Sequence, residues 1–313
     1  MNIFFTDGLI IIGLILFEIV SSIDNAVINA EILHGMSQKA RRWFLTWGLL
    51  FAVFIMRGLL PIIIVWVSNP SLAFDKVLTG VFTSDPAVID SIHRSAPYLL
   101  MAGGIFLVFL FFNWLFLDAK NVGLRVEKFF TRHGIWFYSV ISLILVAIVY
   151  QSLRIDPYLA LAAVIGSTTF FITHGFSQQA EIAERRMLSG GGASSDTSKI
   201  LFLLVIDSIF SIDGVVGAFA FTLIIPLILI GNGIGAIVVR QLTISNIENI
   251  KKLAYLKNGA MYSLSVLGTV MIADAFKIHV PEWVAPLSTV AIVGWFFYKS
   301  VMANKQNKLV EAI

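Results

Sequence analysis

The sequence predicts an all-α polytopic membrane helix bundle of about nine transmembrane helices, and three observations lead to this fold class. Of the 313 residues, 58% are hydrophobic and only 13% are charged. The mean hydropathy of +0.88 is far above that of a soluble domain. The apolar residues are gathered into runs of about 20, the length that an α-helix needs to cross a hydrocarbon core. We therefore expect a single transmembrane domain over residues 1–313.

The expected spans are separated by short polar connections. They run approximately over Gly8–Leu33, Phe44–Val67, Ala96–Leu117, Ile135–Leu153, Tyr158–Phe176, Ile200–Thr222, Leu223–Ile244, Gly259–Phe276 and Val284–Phe297. A Gly/Ser-rich polar segment, residues 178–199, is the expected flexible linker. It divides the chain into a first half (1–153), a linking span with a flexible cytoplasmic loop (154–199) and a second half (200–313).

Composition and motifs exclude several classes of function. The chain has no cysteine, so it has neither disulfides nor thiolate metal sites. Its net charge of +3 comes from basic residues between spans, and we expect the lipid bilayer rather than nucleic acid as partner. The first apolar run lacks a basic leader and a small-residue cleavage site, so we expect it to be a span and not a removable signal. No P-loop motif is present, so transport driven by ATP would need another chain. We expect no cofactor and no enzymatic activity.

The first span carries an unusual set of polar residues. Glu18, Ser22, Asn25 and Asn29 are spaced i, i+4, i+7 and i+11, which places them on one face of a helix. Asp24 and Glu31, spaced i and i+7, lie on a second face. An ionised carboxylate inside a membrane costs several kcal/mol, so such residues normally face a partner or a cavity. We therefore expect a spanning helix with one hydrated side, although for Asn29 we favour plain interhelical hydrogen bonding.

The same pattern returns in the sixth span. Aligning the two copies on the shared Ser-Ile-Asp pairs Glu18 with Asp207 and Asp24 with Asp213. Two acidic helices in corresponding halves are typical of transporters built from repeats. These acids could also do no more than hold helices together, but four carboxylates in matched positions make that interpretation weaker.

Basic residues predict the orientation of the spans. Lys and Arg concentrate after the odd-numbered spans and in the tail, whereas the opposite side holds only Lys76, Arg94, Arg154 and Lys277. By the positive-inside rule, the N-terminus lies outside and the C-terminus in the cytoplasm. The first and sixth spans then run antiparallel, which predicts an inverted-topology repeat around them. We expect the protein in the inner (plasma) membrane of a bacterium.

These residues predict a cation site near the middle of the membrane. Gly214 and Gly217 weaken the helix close to Asp213, and we expect both acidic helices to loosen at Asp24–Asn25 and Asp213–Gly214 and free carbonyl groups. Oxygen ligands suit hard divalent cations such as Mn²⁺, Mg²⁺ or Ca²⁺. The predicted ligands are Asp24, Asp213, Glu18, Asp207 and Asn25. An inverted repeat would bring the middles of the first and sixth spans together, so we expect Asp24 and Asp213 to converge and hold the ion, with Glu18 and Asp207 completing or gating the site.

Two arginines within spans are the expected charge-balancing or gating residues. Arg57 and Arg240 each lie in the span that follows an acidic helix. Arg57 is central enough to need an acid from the paired motif as its partner. Arg240 lies nearer the end of its span and could instead extend its side chain to the membrane surface.

Four segments together resemble a known family over most of the chain. They are Glu-x5-Asp-Asn in the first span, DSIFSID in the sixth, and GIGAIVVRQLTI followed by YLKNGAMYSL. They resemble the TerC family of integral membrane proteins, in particular its TerC-like branch. The resemblance implies a link to tellurite resistance and manganese export, and a place among the LysE-type exporters. It also puts Glu18, Asp24, Asn25, Asp207 and Asp213 on motif positions, whereas Gly214 replaces a small polar residue.

The leading hypothesis is a secondary transporter that exports a divalent metal ion, Mn²⁺ above others, in exchange for protons. A second hypothesis is an intramembrane aspartyl protease, since two aspartates on different helices could share a proton. Neither aspartate, however, stands in a Gly-x-Gly-Asp context. A third is a factor that inserts or assembles other membrane proteins. The oligomeric state is left open.

Overall fold

The computed structural model describes residues 3–48, 51–120, 123–189, 195–245 and 253–311. Within these ranges the chain forms helices and no β-strand, so the all-α prediction is confirmed. The α-helices are α1 (Ile3–Ser21), α2 (Ile23–His34), α3 (Gln38–Trp43), α4 (Leu60–Ser68), α5 (Phe74–Thr83), α6 (Pro86–Leu117), α7 (Arg125–Arg132), α8 (Phe137–Leu153), α9 (Pro157–Ser189), α10 (Asp196–Ala218), α11 (Ile225–Ser245), α12 (Leu256–Ala275) and α13 (Val284–Glu311). Two π-helical segments, Phe44–Gly48 and Ala52–Leu59, precede α4, and a 3₁₀ turn, Gly134–Trp136, precedes α8.

Six helices in the described ranges are long and apolar enough to cross a membrane. They are Pro86–Leu117, Gly134–Leu153, Pro157–Ala180, Asp196–Ala218, Ile225–Leu242 and Val284–Lys305. The bent pair α1–α2 would make a seventh if it is one span. By length and composition, this is an integral membrane protein.

Two further predicted spans are helical but less typical. The predicted eighth span corresponds to α12, which packs against α6 and α13 and is not among those six. The predicted second span is divided between the π-helical segments and α4, and its apolar part, Arg57–Ser68, is short. The count of nine spans and the inverted repeat therefore stay predictions.

Helix ends differ from the predicted ones where local chemistry favours a longer helix. α6 begins at Pro86, well before the predicted Ala96. The side chain of Asp85 caps it by accepting a hydrogen bond of 2.9 Å from the backbone N–H of Ala87, and proline is favoured at the first helical position. α9 continues to Ser189, beyond the predicted end at Phe176.

The two acidic helices differ in continuity. The axis bends by 49° between Phe5–Ser21 and Asn25–His34, and Ser22 is the residue between α1 and α2. α10, in contrast, continues as an α-helix through Asp213 to Ala218. The prediction that both helices loosen is thus wrong for the second, because the α10 glycines serve close packing instead. The first helix bends at Ser22, two residues before the predicted point, and the backbone N–H groups of Ser22 and Ala26 still donate to the carbonyls of Glu18 and Ser22.

Glycines let α1 approach its neighbours closely. A methyl group on Gly217 of α10 would lie 2.5 Å from the ring of Phe17. On α11, a methyl group on Gly231 would lie 2.5 Å from the Cβ of Leu14, and one on Gly235 would lie 2.6 Å from the Cβ of Glu18. The helix that carries Glu18 is therefore held in place by contacts that only glycine permits.

This packing predicts a contrast between two glycines of the same helix. Gly231→Ala should cost about 1–3 kcal/mol of stability, because the added methyl group meets Leu14. Gly233→Ala is the matched control, since a methyl group there would have no atom within 4 Å. It should be neutral or gain about 0.5–1 kcal/mol from helix propensity. Melting temperatures of both purified variants test this, and equal values would contradict the packing.

Candidate functional site

Two carboxylates are buried within the bundle on different helices. Glu18 lies near the end of α1 with 1% of its surface exposed, and Asp207 lies in α10 with 6% exposed. Both positions were predicted from the sequence. Since buried carboxylates need partners, the groups around them define what the site can do.

Glu18 is paired with the buried Arg57. The Nε of Arg57 lies 2.8 Å from Oε1 of Glu18. Ser22 donates a hydrogen bond of 2.7 Å to the same oxygen, and a terminal nitrogen of Arg57 donates one of 3.2 Å to the Ser22 hydroxyl. Arg57 thus has the acidic partner from the paired motif that the sequence required.

A π-helical segment carries Arg57. It spans Ala52–Leu59, immediately before α4, whose second residue is Pro61. Wider π turns are frequent at functional sites, where they change the direction of a side chain. This geometry was not predicted, because the apolar pattern does not distinguish a π-helix from an α-helix.

Asp207 is bound by the first acidic helix. The side-chain amide of Asn25 donates a hydrogen bond to Oδ1 of Asp207. Further along, a methyl group on Gly214 would lie 3.1 Å from Oε2 of Glu18. Glu18 therefore lies beside Gly214, and the later residue Asn25 lies beside the earlier residue Asp207. This order means that the two acidic helices pack antiparallel.

A small cavity lies beside these residues, and we call it the central cavity. Its volume of about 20 Å³ admits about one water-sized occupant. Both arginines that the sequence singled out, Arg57 and Arg240, line it. The other lining residues are Ser22, Asn25, Ala26, Asn29, Leu33, Phe44, Leu45, Asp207, Ala236 and Val239.

Several buried oxygen atoms of the acidic helices have no hydrogen-bond partner among the described residues. Oδ2 of Asp207 and the amide oxygens of Asn25 and Asn29 belong to residues that line the central cavity, whereas Oε2 of Glu18 belongs to a residue outside its lining. Leaving a buried acceptor unsatisfied is costly, so such atoms mark a place where water or an ion can bind. Asn29 was expected only to form hydrogen bonds between helices. The structure instead places it on the wall of the central cavity.

The two aspartates of the Ser-Ile-Asp motifs are placed less closely. The side chain of Asp24 lies outside the described part of the structure, although its backbone is in the first turn of α2. Asp213 is partly exposed on α10 and is not among the residues that line the central cavity. No three acidic or histidine side chains of the described residues form a group that could hold a metal ion. The structure therefore brings together Glu18, Asn25, Asp207 and both arginines.

Sequence reasoning missed one polar residue of α11. Asn232 is completely buried, and neither atom of its amide has a hydrogen-bond partner within the described ranges. The signal was present as an asparagine between two glycines, Gly231 and Gly233, inside an apolar run. Glycines at that spacing could have indicated that a neighbouring helix approaches there.

A larger cavity opens at one end of the bundle, and we call it the end cavity. Its volume is about 590 Å³, and its wall includes the connection between α10 and α11 together with His93, Asp274, His279 and Glu282. Phe221 of this wall packs against Phe17, with ring centroids 5.7 Å apart. Phe17 directly precedes Glu18 in α1, so this aromatic pair joins the wall of the end cavity to the helix that carries the buried ion pair.

A family model described as "Protein of unknown function (DUF475)" matches residues 23–307. The chain belongs to the DUF475 family. The matched part of this DUF475 protein contains Asn25, Arg57, Asp207 and Arg240, whereas Glu18 and Ser22 precede it. No curated protein matches the chain. No solved structure matches it either.

Proposed function

We propose that this protein is a secondary transporter that exports a divalent metal ion, Mn²⁺ above others, through the polar cluster around Glu18 and Asp207. One observation carries the proposal. Two buried carboxylates from different helices meet around Arg57, next to a cavity for about one small occupant, and each leaves one oxygen without a partner.

The ligand chemistry fits a hard cation. Asp207, Asn25 and Asn29 line the central cavity, and each has an oxygen atom without a hydrogen-bond partner among the described residues. Oε2 of Glu18 is a further oxygen of this kind. Oxygen ligands select Mg²⁺, Ca²⁺ and Mn²⁺. Arg57 neutralises the carboxylates while no metal ion is bound. The arriving ion takes over that role, and Arg57 moves away from Glu18.

Protons are proposed as the exchange ion. Protonating a carboxylate removes the charge that holds the metal ion, so proton binding and metal binding exclude each other. Asp24 and Asp213 belong to this proposal as further ligands that reach the ion during transport. Asp213 lies six residues from Asp207 in α10, a rise of about 9 Å toward the end cavity.

The contacts between the acidic helices support an inverted repeat. In the sequence alignment, Glu18 corresponds to Asp207 and Asn25 to Gly214. If a two-fold axis relates the two halves, the contact between Asn25 and Asp207 must have a counterpart between Gly214 and Glu18. Both contacts occur in the structure. Nine spans with the N-terminus outside, in a bacterial plasma membrane, complete the proposed topology, which matches the resemblance to the TerC and LysE-type exporters.

The end cavity is the proposed exit. In the proposed orientation it opens to the outside, and its acidic and histidine side chains can accept an outgoing cation. Phe17 and Phe221 are then the barrier that closes the exit while the ion is bound. Two other functions remain as alternatives, an intramembrane aspartyl protease and an insertion factor. The protease hypothesis rests on Asp24 and Asp213 sharing one proton, and the liposome experiment below distinguishes it from transport.

Transport into sealed liposomes tests the proposal. The purified protein should move Mn²⁺ into vesicles that contain a metal-sensitive dye, with protons moving in the opposite direction. Asp24→Asn and Asp213→Asn should each abolish this flux, because they preserve size and remove a charge. Fluxes in either variant equal to wild type would contradict the assignment of the two aspartates. No metal flux in the wild type, together with cleavage of a membrane peptide, would favour the protease.

A further inference from the structure

One face of the short helix α7 is fixed to the bundle. Glu127 is completely buried, and its Oε2 accepts hydrogen bonds of 2.7 Å from the amide of Asn258 and 2.8 Å from the backbone N–H of Leu124. The ring of Phe130 packs on Phe116, with centroids 5.1 Å apart. These contacts hold α7 against α6 and α12, so its orientation is defined.

The opposite face of α7 is basic and exposed. Arg125, Lys128 and Arg132 follow the spacing i, i+3 and i+7, which places all three side chains on one face of the helix. The acidic residue of α7, Glu127, is buried on the other side. Nearby, Asp118 is already paired with Lys257 at 3.0 Å. The basic face therefore has no acidic partner among the described side chains of its own helix.

Large apolar side chains flank the basic face. Val126 and Phe129 are 58% and 59% exposed, and in the 3₁₀ turn that follows, Ile135 and Trp136 are 87% and 58% exposed. Exposure of so many apolar groups in water is unfavourable, but a helix with one basic and one apolar flank is stable in the boundary between lipid headgroups and acyl chains. Tryptophan is enriched at that depth.

We propose that α7 and the turn Gly134–Trp136 form a binding surface for anionic phospholipid headgroups. Arg125, Lys128 and Arg132 contact the phosphates, while Val126, Phe129, Ile135 and Trp136 enter the acyl boundary. α7 follows the end of α6 that lies far from the end cavity, and basic residues near a membrane attract anionic lipid. This surface does not depend on the proposed metal transport.

Lipid binding to the full chain in detergent tests the proposal. Native mass spectrometry should measure how strongly phosphatidylglycerol is retained relative to phosphatidylcholine. The wild type should prefer phosphatidylglycerol. The substitutions Arg125→Gln, Lys128→Gln and Arg132→Gln are made singly and together as a triple glutamine variant, and the preference should fall about fivefold for each basic side chain removed. The matched control is the charge-preserving triple variant Arg125→Lys, Lys128→Arg and Arg132→Lys, which should retain the preference.

Melting temperatures in phosphatidylcholine check that the variants remain folded. If the triple glutamine variant fails to fold, the single variants still carry the test. A preference for phosphatidylglycerol that is unchanged in the glutamine variants would overturn the proposal. So would its loss in the charge-preserving variant, because charge would then not be the cause.

Discussion

Arg57→Gln should lower the free energy of unfolding by about 3–5 kcal/mol in the absence of metal, because it leaves the carboxylate of Glu18 buried without its ion-pair partner. Under our proposal, a divalent cation replaces the guanidinium group beside Glu18. Mn²⁺ should therefore raise the melting temperature of this variant by more than it raises that of the wild type. Transport should be impaired, since the charge that neutralises the empty site is missing.

Arg94→Gln is the matched control for Arg57→Gln. Arg94 also pairs with a carboxylate, that of Asp90, but both side chains are exposed, and exposed ion pairs contribute little to stability. If Arg57→Gln melted like Arg94→Gln, the ion pair with Glu18 would not hold the site together. If Mn²⁺ raised the melting temperature of Arg57→Gln by no more than it raises that of the wild type, Arg57 would have only a structural role. It would then not be the group that neutralises the carboxylates until a metal ion binds.

Asp207→Asn should abolish both metal-dependent stabilisation and transport while the protein stays folded. Its remaining carbonyl oxygen can still accept the hydrogen bond from Asn25, so the contact between α2 and α10 survives. The negative charge that holds the ion is lost. Removing a buried charge also removes its desolvation cost, so stability without metal should not fall.

Acidic pH should have the same effect on the wild type as Asp207→Asn, because protons neutralise the same carboxylates. The control variant is Asp75→Asn, an exposed residue at the start of α5 that should leave metal binding unchanged. Melting curves with and without Mn²⁺, recorded beside liposome fluxes, give both readouts. Asp207→Asn fluxes like those of Asp75→Asn would contradict the role of Asp207.

The sequence was sufficient to predict the fold class and most residues of the polar cluster. Hydropathy alone predicted a helical membrane protein, because a membrane leaves few other ways to satisfy backbone hydrogen bonds. The repeated acidic motif pointed to Glu18, Asn25 and Asp207, which the structure brings together with Arg57. Charge in an apolar run is a strong signal, since such a residue must have a partner.

The sequence could not predict how each acidic helix is built. Both motifs contain residues that weaken a helix, yet the first bends at Ser22 and the second is continuous through Gly214 and Gly217. The difference lies in the neighbours. Phe17 packs where a side chain on Gly217 would be, so that glycine serves a contact between helices and not a break. Such contacts are a property of the assembled bundle.

Pairwise geometry was also beyond the sequence. The expected convergence of Asp24 and Asp213 stays a prediction, because the side chain of Asp24 lies outside the described part of the structure. The contacts that the structure does describe are those of Glu18 and Asp207. The bend at Ser22 and the π-helical segment around Arg57 change which side chains meet, and neither feature has a clear sequence signature.

Calorimetric titration of Mn²⁺ into the purified full-length protein tests the central claim most directly. The wild type should show a single saturable site at pH 7, weakened at pH 5. Asp207→Asn and Glu18→Gln should show no binding at either pH while they keep the wild-type helical content. Binding of the same affinity in either variant would contradict the account, because the ion would then not be held by the two buried carboxylates.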